Sequence, residues 1–204
     1  MSLQEIQHFF DTHAATWDYS FDAAKLARLR EIFHTYFKDI RAPVLDLGSG
    51  TGILLQILPE VLPEPHPLIL EMDISLNMLL RTRERDGYFL HPSPLVQADG
   101  HSLPLKTNSV RTIVAFQVFP HFEQPARVIR EALRVLQPGG IFSIVHLHDH
   151  QALNALHRRV GEEVRNHYLP PAQVVYQWLQ KVGLQPEQCR ERPQLYLVKA
   201  RKPA

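Results

Sequence analysis

Five short apolar runs, at residues 43–47, 68–72, 95–97, 110–116 and 141–147, alternate with stretches whose apolar residues recur every three or four positions. The runs are rich in Val, Ile and Leu, as parallel strands covered on both faces should be. The intervening stretches 52–62, 75–86 and 125–136 have a helical period, and the last is closed by Gln137-Pro138-Gly139-Gly140, where proline and glycine stop a helix. Parallel strands need crossovers, and right-handed crossovers put helices on both faces of one sheet. Helices over 3–10 and 22–37 precede the first strand, the second marked by Leu26, Leu29, Ile32, Phe33, Tyr36 and Phe37. A helical region over 151–168, a Leu169-Pro170-Pro171 break and a helix over 172–182 follow the fifth strand. A final apolar stretch covers 195–200, and a late pair, around 184–190 and 194–201, is a candidate for antiparallel strands at the sheet edge. The expected architecture is a doubly wound α/β fold.

Composition narrows the class of partner. At 204 residues, 45% of them hydrophobic, the chain buries enough apolar surface to need no disulfide or structural metal. Cys189 is the single cysteine, which gives no internal disulfide and points to a reducing, cytoplasmic setting. A formal charge of +1, with the basic residues scattered, supplies no footprint for nucleic acid. No apolar run reaches the ~20 residues that span a bilayer, and the first residues lack the pattern of a secretory leader. A small molecule is the expected partner, with the protein a monomer or homodimer.

The chemistry concentrates where the first strand should end. There Asp46 is followed by Gly48, Gly50 and Gly52, with Ser49 between the first two. Glycines at such a turn let the backbone reverse sharply and approach a ligand, while the next helix presents unpaired N–H groups. A dinucleotide site would use Gly-x-Gly-x-x-Gly with an acidic residue at the end of the second strand. In this chain the third glycine comes one residue early. A carboxylate, Asp73, does close the second strand, and its two acceptor oxygens suit a pair of ribose hydroxyls. Glu71 is the weaker candidate for that contact, and Asp73 also fits as the cap of the helix beginning near Ser75.

These residues resemble motifs of the class I S-adenosylmethionine-dependent methyltransferases. Asp46-x-Gly48-Ser49-Gly50-x-Gly52 resembles the family's first motif, and Asp73-Ile74-Ser75-Leu76-Asn77-Met78-Leu79 its second. Asp99-Gly100-His101-Ser102-Leu103-Pro104-Leu105 is similar to the segment after the third strand, and Glu131-Ala132-Leu133-Arg134-Val135-Leu136-Gln137-Pro138-Gly139-Gly140 to the approach to the fifth. The likeness covers about residues 43–145. It extends more weakly to Phe9-Phe10-Asp11-Thr12-His13-Ala14-Ala15-Thr16-Trp17-Asp18, which looks like the cover segment of ubiquinone- and menaquinone-biosynthesis-like members. Arg111 stands where the family has an aspartate at the start of the fourth strand.

The resemblance implies a Rossmann-like fold: a seven-stranded mostly parallel sheet with an antiparallel edge strand and helices on both faces. It implies one methyltransferase domain over 1–204, with a helical cover at 1–40, a cofactor-binding core at 43–147 and acceptor-side helices and strands at 148–204. The implied cofactor is S-adenosyl-L-methionine, held by Asp46, Gly48, Ser49, Gly50, Asp73, Ile74, Met78, Asp99, Gly100, His101 and Gln117. The implied reaction is methyl transfer by in-line displacement to a small acceptor. Two alternatives remain open at this point: a nicotinamide oxidoreductase, and a binding module that keeps the fold without turnover.

Methyl transfer asks the protein mainly to align the acceptor and exclude water, with a base where the acceptor carries a proton. Histidine titrates in the right range, and His121, His146 and His148 are the candidates, placed after the fourth and fifth strands. Trp17, His146, Asn154 and His157 are the expected acceptor contacts. Trp17, Tyr19 and Phe21 are candidates to roof the cofactor. Alternate residues of an extended strand point the same way, so His146, His148 and His150, with His157, form a conceivable divalent metal site. A strand ending at Leu147 would scatter those rings, and no metal is the expected state. Residues 154–161 and 166–170 are expected to shape the acceptor pocket.

Overall fold

The computed structural model describes residues 2–85, 88, 90–160 and 167–204. Strands β1 (Val44–Leu47), β2 (Ile69–Asp73), β3 (Leu95–Gln97), β4 (Val110–Phe116), β5 (Leu136–His146), β6 (Gln185–Arg192) and β7 (Leu195–Arg201) form one sheet in the order β3-β2-β1-β4-β5-β7-β6. The first five strands run parallel; β7 runs antiparallel to both β5 and β6, so the last hairpin closes one side of the sheet. The order reverses at β1, whose neighbours are β2 and β4. In open α/β sheets ligands bind beyond the carboxyl ends of the strands at such a switch point.

Alternation along the strands builds two cores. Leu45, Leu47, Ile113, Ala115, Phe142 and Ile144 face helices α5 (Pro125–Val135), α6 (His150–Val160) and α7 (Ala172–Val182). Val44, Val114, Phe116, Ile141 and Val145 face α2 (Ala23–Tyr36) and α3 (Leu58–Val61) on the other side. The helices begin where their caps dictate. Asp22 accepts the Lys25 amide at 2.8 Å ahead of α2, and Ser75 accepts the Met78 amide at 3.1 Å ahead of α4 (Leu76–Arg83). Ser2 and Glu5 cap α1 (Leu3–His13) reciprocally. The side chain of Lys199, 1% exposed, ties β7 to the end of α2 by donating to the Tyr36 carbonyl at 3.2 Å and pairing with Asp39.

Three expectations change. The stretch 52–62 is not one helix: it divides into a 3-10 turn, Ile53–Gln56, and the single turn α3, because Pro59 has no N–H to carry the ladder across the join. Residues 137–140 stop α5 as expected, but they already belong to β5. Gly139, at φ +76°, absorbs the shift of register between Val110 and Thr112 and pairs with Lys202. The first helix runs on to His13 and continues as a 3-10 stretch, Ala14–Ser20, that crosses the top of the sheet. The ends of the helical stretches expected at 75–86 and 151–168 lie partly outside the described residues.

Asn154 is a bolt in this frame. Its Nδ2 donates to the Leu169 carbonyl at 2.9 Å and its Oδ1 accepts the Leu169 amide at 2.8 Å, both buried. Asn154→Ala strands two buried backbone groups, at about 1–3 kcal/mol each. A loss of about 2–4 kcal/mol in urea denaturation is expected; a loss under ~0.5 kcal/mol, the level of an ordinary surface change, contradicts the role.

Candidate active site

The glycine turn is pinned to the end of β2. The amides of Gly48 and Ser49 donate to the Met72 carbonyl at 2.7 and 2.9 Å, and the Gly50 amide donates to Asp73 Oδ2 at 2.8 Å. Gly48 and Gly52 need their lack of a side chain. At φ +71° a Cβ on Gly48 would stand 2.2 Å from Val118 Cγ2, and at φ +75° one on Gly52 would stand 2.5 Å from Thr82 Cγ2. Gly50 differs: beyond it the nearest atom to a Cβ is Trp17 Nε1, at 3.9 Å, so the turn faces open space there.

That space is a cavity of about 1080 Å3, counting its mouth, and it gathers most of the residues singled out from the sequence. Gly48, Ser49, Gly50, Asp73, Ile74, Met78, Asp99, Gly100, His101, Gln117, His121 and Trp17 all line it. Asp73 Oδ1 accepts the Ser75 amide at 2.9 Å, and each of its oxygens keeps a second lone pair for a ligand. Burial raises the Asp73 carboxyl to about 6, against the pull of the Ser75, Gly50 and Ile74 amides. At β3, His101 holds Asp99: its Nδ1 lies 2.6 Å and its amide 2.9 Å from Oδ1, leaving Oδ2 without a partner among the described residues. The Gln124 amide donates to His101 Nε2 at 3.2 Å, which assigns the proton to Nδ1. Gln117 sits at φ +55°, a strained conformation worth ~1–3 kcal/mol that turns the chain off β4 into the cavity wall.

Other expected residues lie elsewhere. Asp46 is behind the turn rather than on the wall; it is 1% exposed, and neither oxygen finds a partner among the described residues. Burial, then the neighbouring Asp73, pushes its carboxyl well up. Burial and Asp46 do the same to Glu71, against the weaker pull of Arg85. His146 is buried edge-on against Tyr196, with no hydrogen bond to either nitrogen among the described residues, and burial lowers it to about 3. His157 Nδ1 donates to the His167 carbonyl at 2.7 Å. Asn154 is engaged with Leu169. Neither His146, Asn154 nor His157 lines the cavity.

The metal alternative loses its ligands because β5 ends at His146, so the strand's alternation does not extend to His148 and His150. His148 instead faces Lys25 and Arg28 of α2, and His150 Nδ1 pairs with Glu191 at 2.6 Å. Among the described residues no group of three or more His, Cys, Asp or Glu side chains is placed to hold a metal ion. Tyr19, 85% exposed, roofs nothing, whereas Phe21 and Trp17 do line the cavity. Gly161 and Asn166 lie outside the described residues.

Sequence reasoning missed the clamps that close the cover. Thr51 Oγ1 donates to Asp18 at 2.6 Å, and Arg85 reaches both the Thr51 carbonyl, at 2.6 Å, and Asp18. Asp11 accepts the Ser75 hydroxyl at 2.5 Å and the Asn77 amide at 3.2 Å. These pairs lie 33 to 67 residues apart in sequence, and no local pattern announces them.

A switch-point cavity with a glycine turn after one strand and carboxylates at the next two strand ends is the ligand-binding edge of a Rossmann-like fold. Residues 45–144 match the family described as "Methyltransferase domain". The chain is 33% identical over 151 residues to a malonyl-[acyl-carrier protein] O-methyltransferase of Methylococcus capsulatus, spanning 67% of this chain and 53% of that one. It is 35% identical over 106 residues to a demethylmenaquinone methyltransferase of Thermotoga maritima, spanning 51% and 43%. The chain thus covers about half the length of these curated relatives. In fold it is similar to a solved S-adenosylmethionine-dependent methyltransferase from Thermotoga maritima, at TM-score 0.75, 15% identity and coverage of 97% and 99%. It is equally similar to the [4+2]-cyclase SpnF, at TM-score 0.76, 18% identity and coverage of 100% and 98%. Residues 45–144 are thus a methyltransferase domain, similar to the S-adenosylmethionine-dependent methyltransferases. Among the described residues no helix is long and apolar enough to cross a membrane.

Gly48→Ala tests the turn. The added methyl meets Val118 at 2.2 Å in a left-handed conformation, so overpacking of about 1–3 kcal/mol adds to about 1–2 kcal/mol of backbone cost. A fall in thermal midpoint is expected, and Val118→Ala in the same chain should restore part of it; no partial recovery would mean the contact is not the cause.

Proposed function

We propose that this chain transfers a methyl group from S-adenosylmethionine to a small-molecule acceptor. The observation that carries the reading is the convergence of the 48–52 turn, Asp73 and Asp99 on one cavity. The residues fit the cofactor. Asp73 suits the ribose hydroxyls, the unpartnered Oδ2 of Asp99 suits the adenine amine, and Phe122, packed so close to Gly100 that a Cβ there would stand 2.8 Å away, walls the adenine end. Ser49 Oγ, buried with no partner among the described residues, and the open face of Gly50 suit the amino-acid end. The cofactor supplies an activated methyl group on a sulfonium.

The chain's own residues then have three tasks. Of the expected cover, 1–40, residues 2–21 lie over the cavity, locked down by the Asp18, Thr51 and Arg85 cluster and by Asp11 on Ser75, and exclude water from the reacting centre, while α2 packs against the sheet. Residues 43–147 hold the cofactor. His121, on the cavity wall, faces the acceptor side, and residues 148–204 support it. One domain performs all three. We read the setting as cytoplasmic and the acceptor as uncharged and small, with no nucleic acid involved.

Calorimetry with S-adenosylhomocysteine tests this. Micromolar binding is expected, weakened at least about tenfold in Asp73→Ala, since hydrogen bonds to a charged group are worth ~1.5–3 kcal/mol. NADH binding tightly in its place would overturn the reading, and labelled S-adenosylmethionine yielding no methylated product from cell extract would leave only a binding module.

The Asp73 carboxyl gives a pH dependence of defined sign. Its pKa in the ligand-free protein is raised to about 6, and ribose hydroxyls donate to the charged form, so binding releases a proton below that value. Affinity for S-adenosylhomocysteine should be level above about pH 7 and fall up to about tenfold per pH unit as pH drops through 6. An affinity flat over about three pH units, from pH 5 to pH 8, would remove Asp73 from the contact.

A further inference from the structure

A second, larger cavity, about 2250 Å3 with its mouth, adjoins the first, and the two share His121 and Phe122 as walls. It is lined by the rings of Phe9, Phe119, Phe122 and Trp178, and by His121 and His167. The charged groups on its wall are the carboxylates Glu5 and Glu123, which oppose an anionic occupant. His121 Nδ1 and His167 Nδ1 lie 2.6 Å apart. Two nitrogens at that distance share one proton, so one imidazole is the donor and the other the acceptor. His121 Nε2, the other nitrogen of that ring, has no hydrogen bond among the described residues, and the ring borders both cavities.

We propose that the second cavity is the acceptor site, that it takes an uncharged, ring-bearing molecule with a hydroxyl at the shared wall, and that His121 and His167 relay the hydroxyl proton away. The proposal rests on the methyltransferase reading and extends it to the acceptor. In the resting pair His121 carries its proton on Nδ1 and donates it to His167, which leaves a lone pair on His121 Nε2 for the acceptor hydroxyl. As the acceptor oxygen bonds to the methyl carbon, the carbon–sulfur bond breaks with its electron pair staying on sulfur. The hydroxyl proton passes to His121 Nε2, and the Nδ1 proton passes on to His167 Nδ1. His167 then carries the charge, which the nearby Glu123 carboxylate favours and His157 opposes.

Burial fits a relay rather than a standing charge. His121 is held well below the ordinary histidine range by burial and by His167, His157 and His146 around it, so it is neutral and ready to accept at working pH. Burial and His157 lower His167 to about 4, which keeps the resting pair uncharged. Two imidazoles this close cannot both be charged, so the pair holds a single proton between its facing nitrogens, the arrangement a relay requires.

Two measurements test the proposal. In protein labelled with 15N-histidine, NMR should show His121 as the Nδ1–H tautomer. His167→Phe removes the acceptor and should move His121 toward the Nε2–H form, and His167→Asn, which keeps an acceptor, should hold it. Finding His121 as Nε2–H in the unaltered protein overturns the relay. Fluorescence titration then compares 2-naphthol with 2-methoxynaphthalene, which lacks the hydroxyl proton, in protein saturated with S-adenosylhomocysteine. Naphthol should bind about tenfold tighter, the worth of one good buried hydrogen bond. His121→Phe and His167→Phe should each abolish that preference, and Trp178→Ala should weaken both probes. Equal affinities in the unaltered protein, or binding indifferent to His121 and Trp178, overturn the acceptor site. If S-adenosylhomocysteine itself does not bind, the methyltransferase reading falls, and the same naphthol titration on ligand-free protein still judges the cavity.

Discussion

The carbonyl of Met72 accepts two amides from the neighbouring turn, and the carboxylate of Asp73 accepts a third. By these three bonds the end of β2 sets the shape of the loop that leaves β1, so the turn is not a free glycine loop but a part of the sheet edge. The steric side of the same constraint lies in Val118 and Thr82, which press on the turn from β4's exit and from α4 and leave room only for hydrogen at Gly48 and Gly52. Three successive strand ends are thereby held in one rigid arrangement, and the cavity is the space between them. A ligand meeting this edge finds its acceptors already oriented, which limits the conformational entropy lost on binding.

That arrangement crowds carboxylates. Asp46, Glu71 and Asp73 are all buried within reach of one another, and the first two are pushed well up by burial and mutual repulsion. Only Asp73 is surrounded by amides that favour its charge, from Gly50, Ile74 and Ser75, which is why it is the member suited to meet a ligand. The cover is held by charge of the opposite kind: Arg85 reaches from the end of α4 to Thr51 and Asp18, joining the cover segment to the turn. Fold alone does not specify a reaction, as the equal likeness in fold to a cyclase and to a methyltransferase makes plain.

Much of this was legible in the chain. The apolar runs locate β1 to β4 and β7 closely, because a buried strand leaves a continuous apolar run; β5 begins at Leu136, ahead of its run, and the polar, half-exposed β6 leaves no such run. Asp73 was legible because it follows the run 68–72 directly, and Asp99 only through the resemblance of 99–105 to the family's segment after the third strand. The helix expected over 52–62 failed at Pro59, a local signal outweighed by the apolar period around it. Asp46 was misplaced by a single position's geometry: an alternating strand turns it inward, behind the wall that its neighbours form.

The histidines divide the two sources of information most sharply. Sequence alone determined that imidazoles stand after β4 and β5, that a glycine turn and two acidic strand ends belong together, and that the chain is a doubly wound α/β protein. Periodicity and turn chemistry are local, and local rules suffice for them. Tertiary structure alone decided that His121 pairs with His167, 46 residues away, while His146 is sealed against Tyr196 and His148 turns toward α2. Those outcomes depend on where β5 stops and on how α6 and the 167–170 segment pack over it. Contacts between distant segments are fixed by packing the whole core, and no spacing within either segment encodes them.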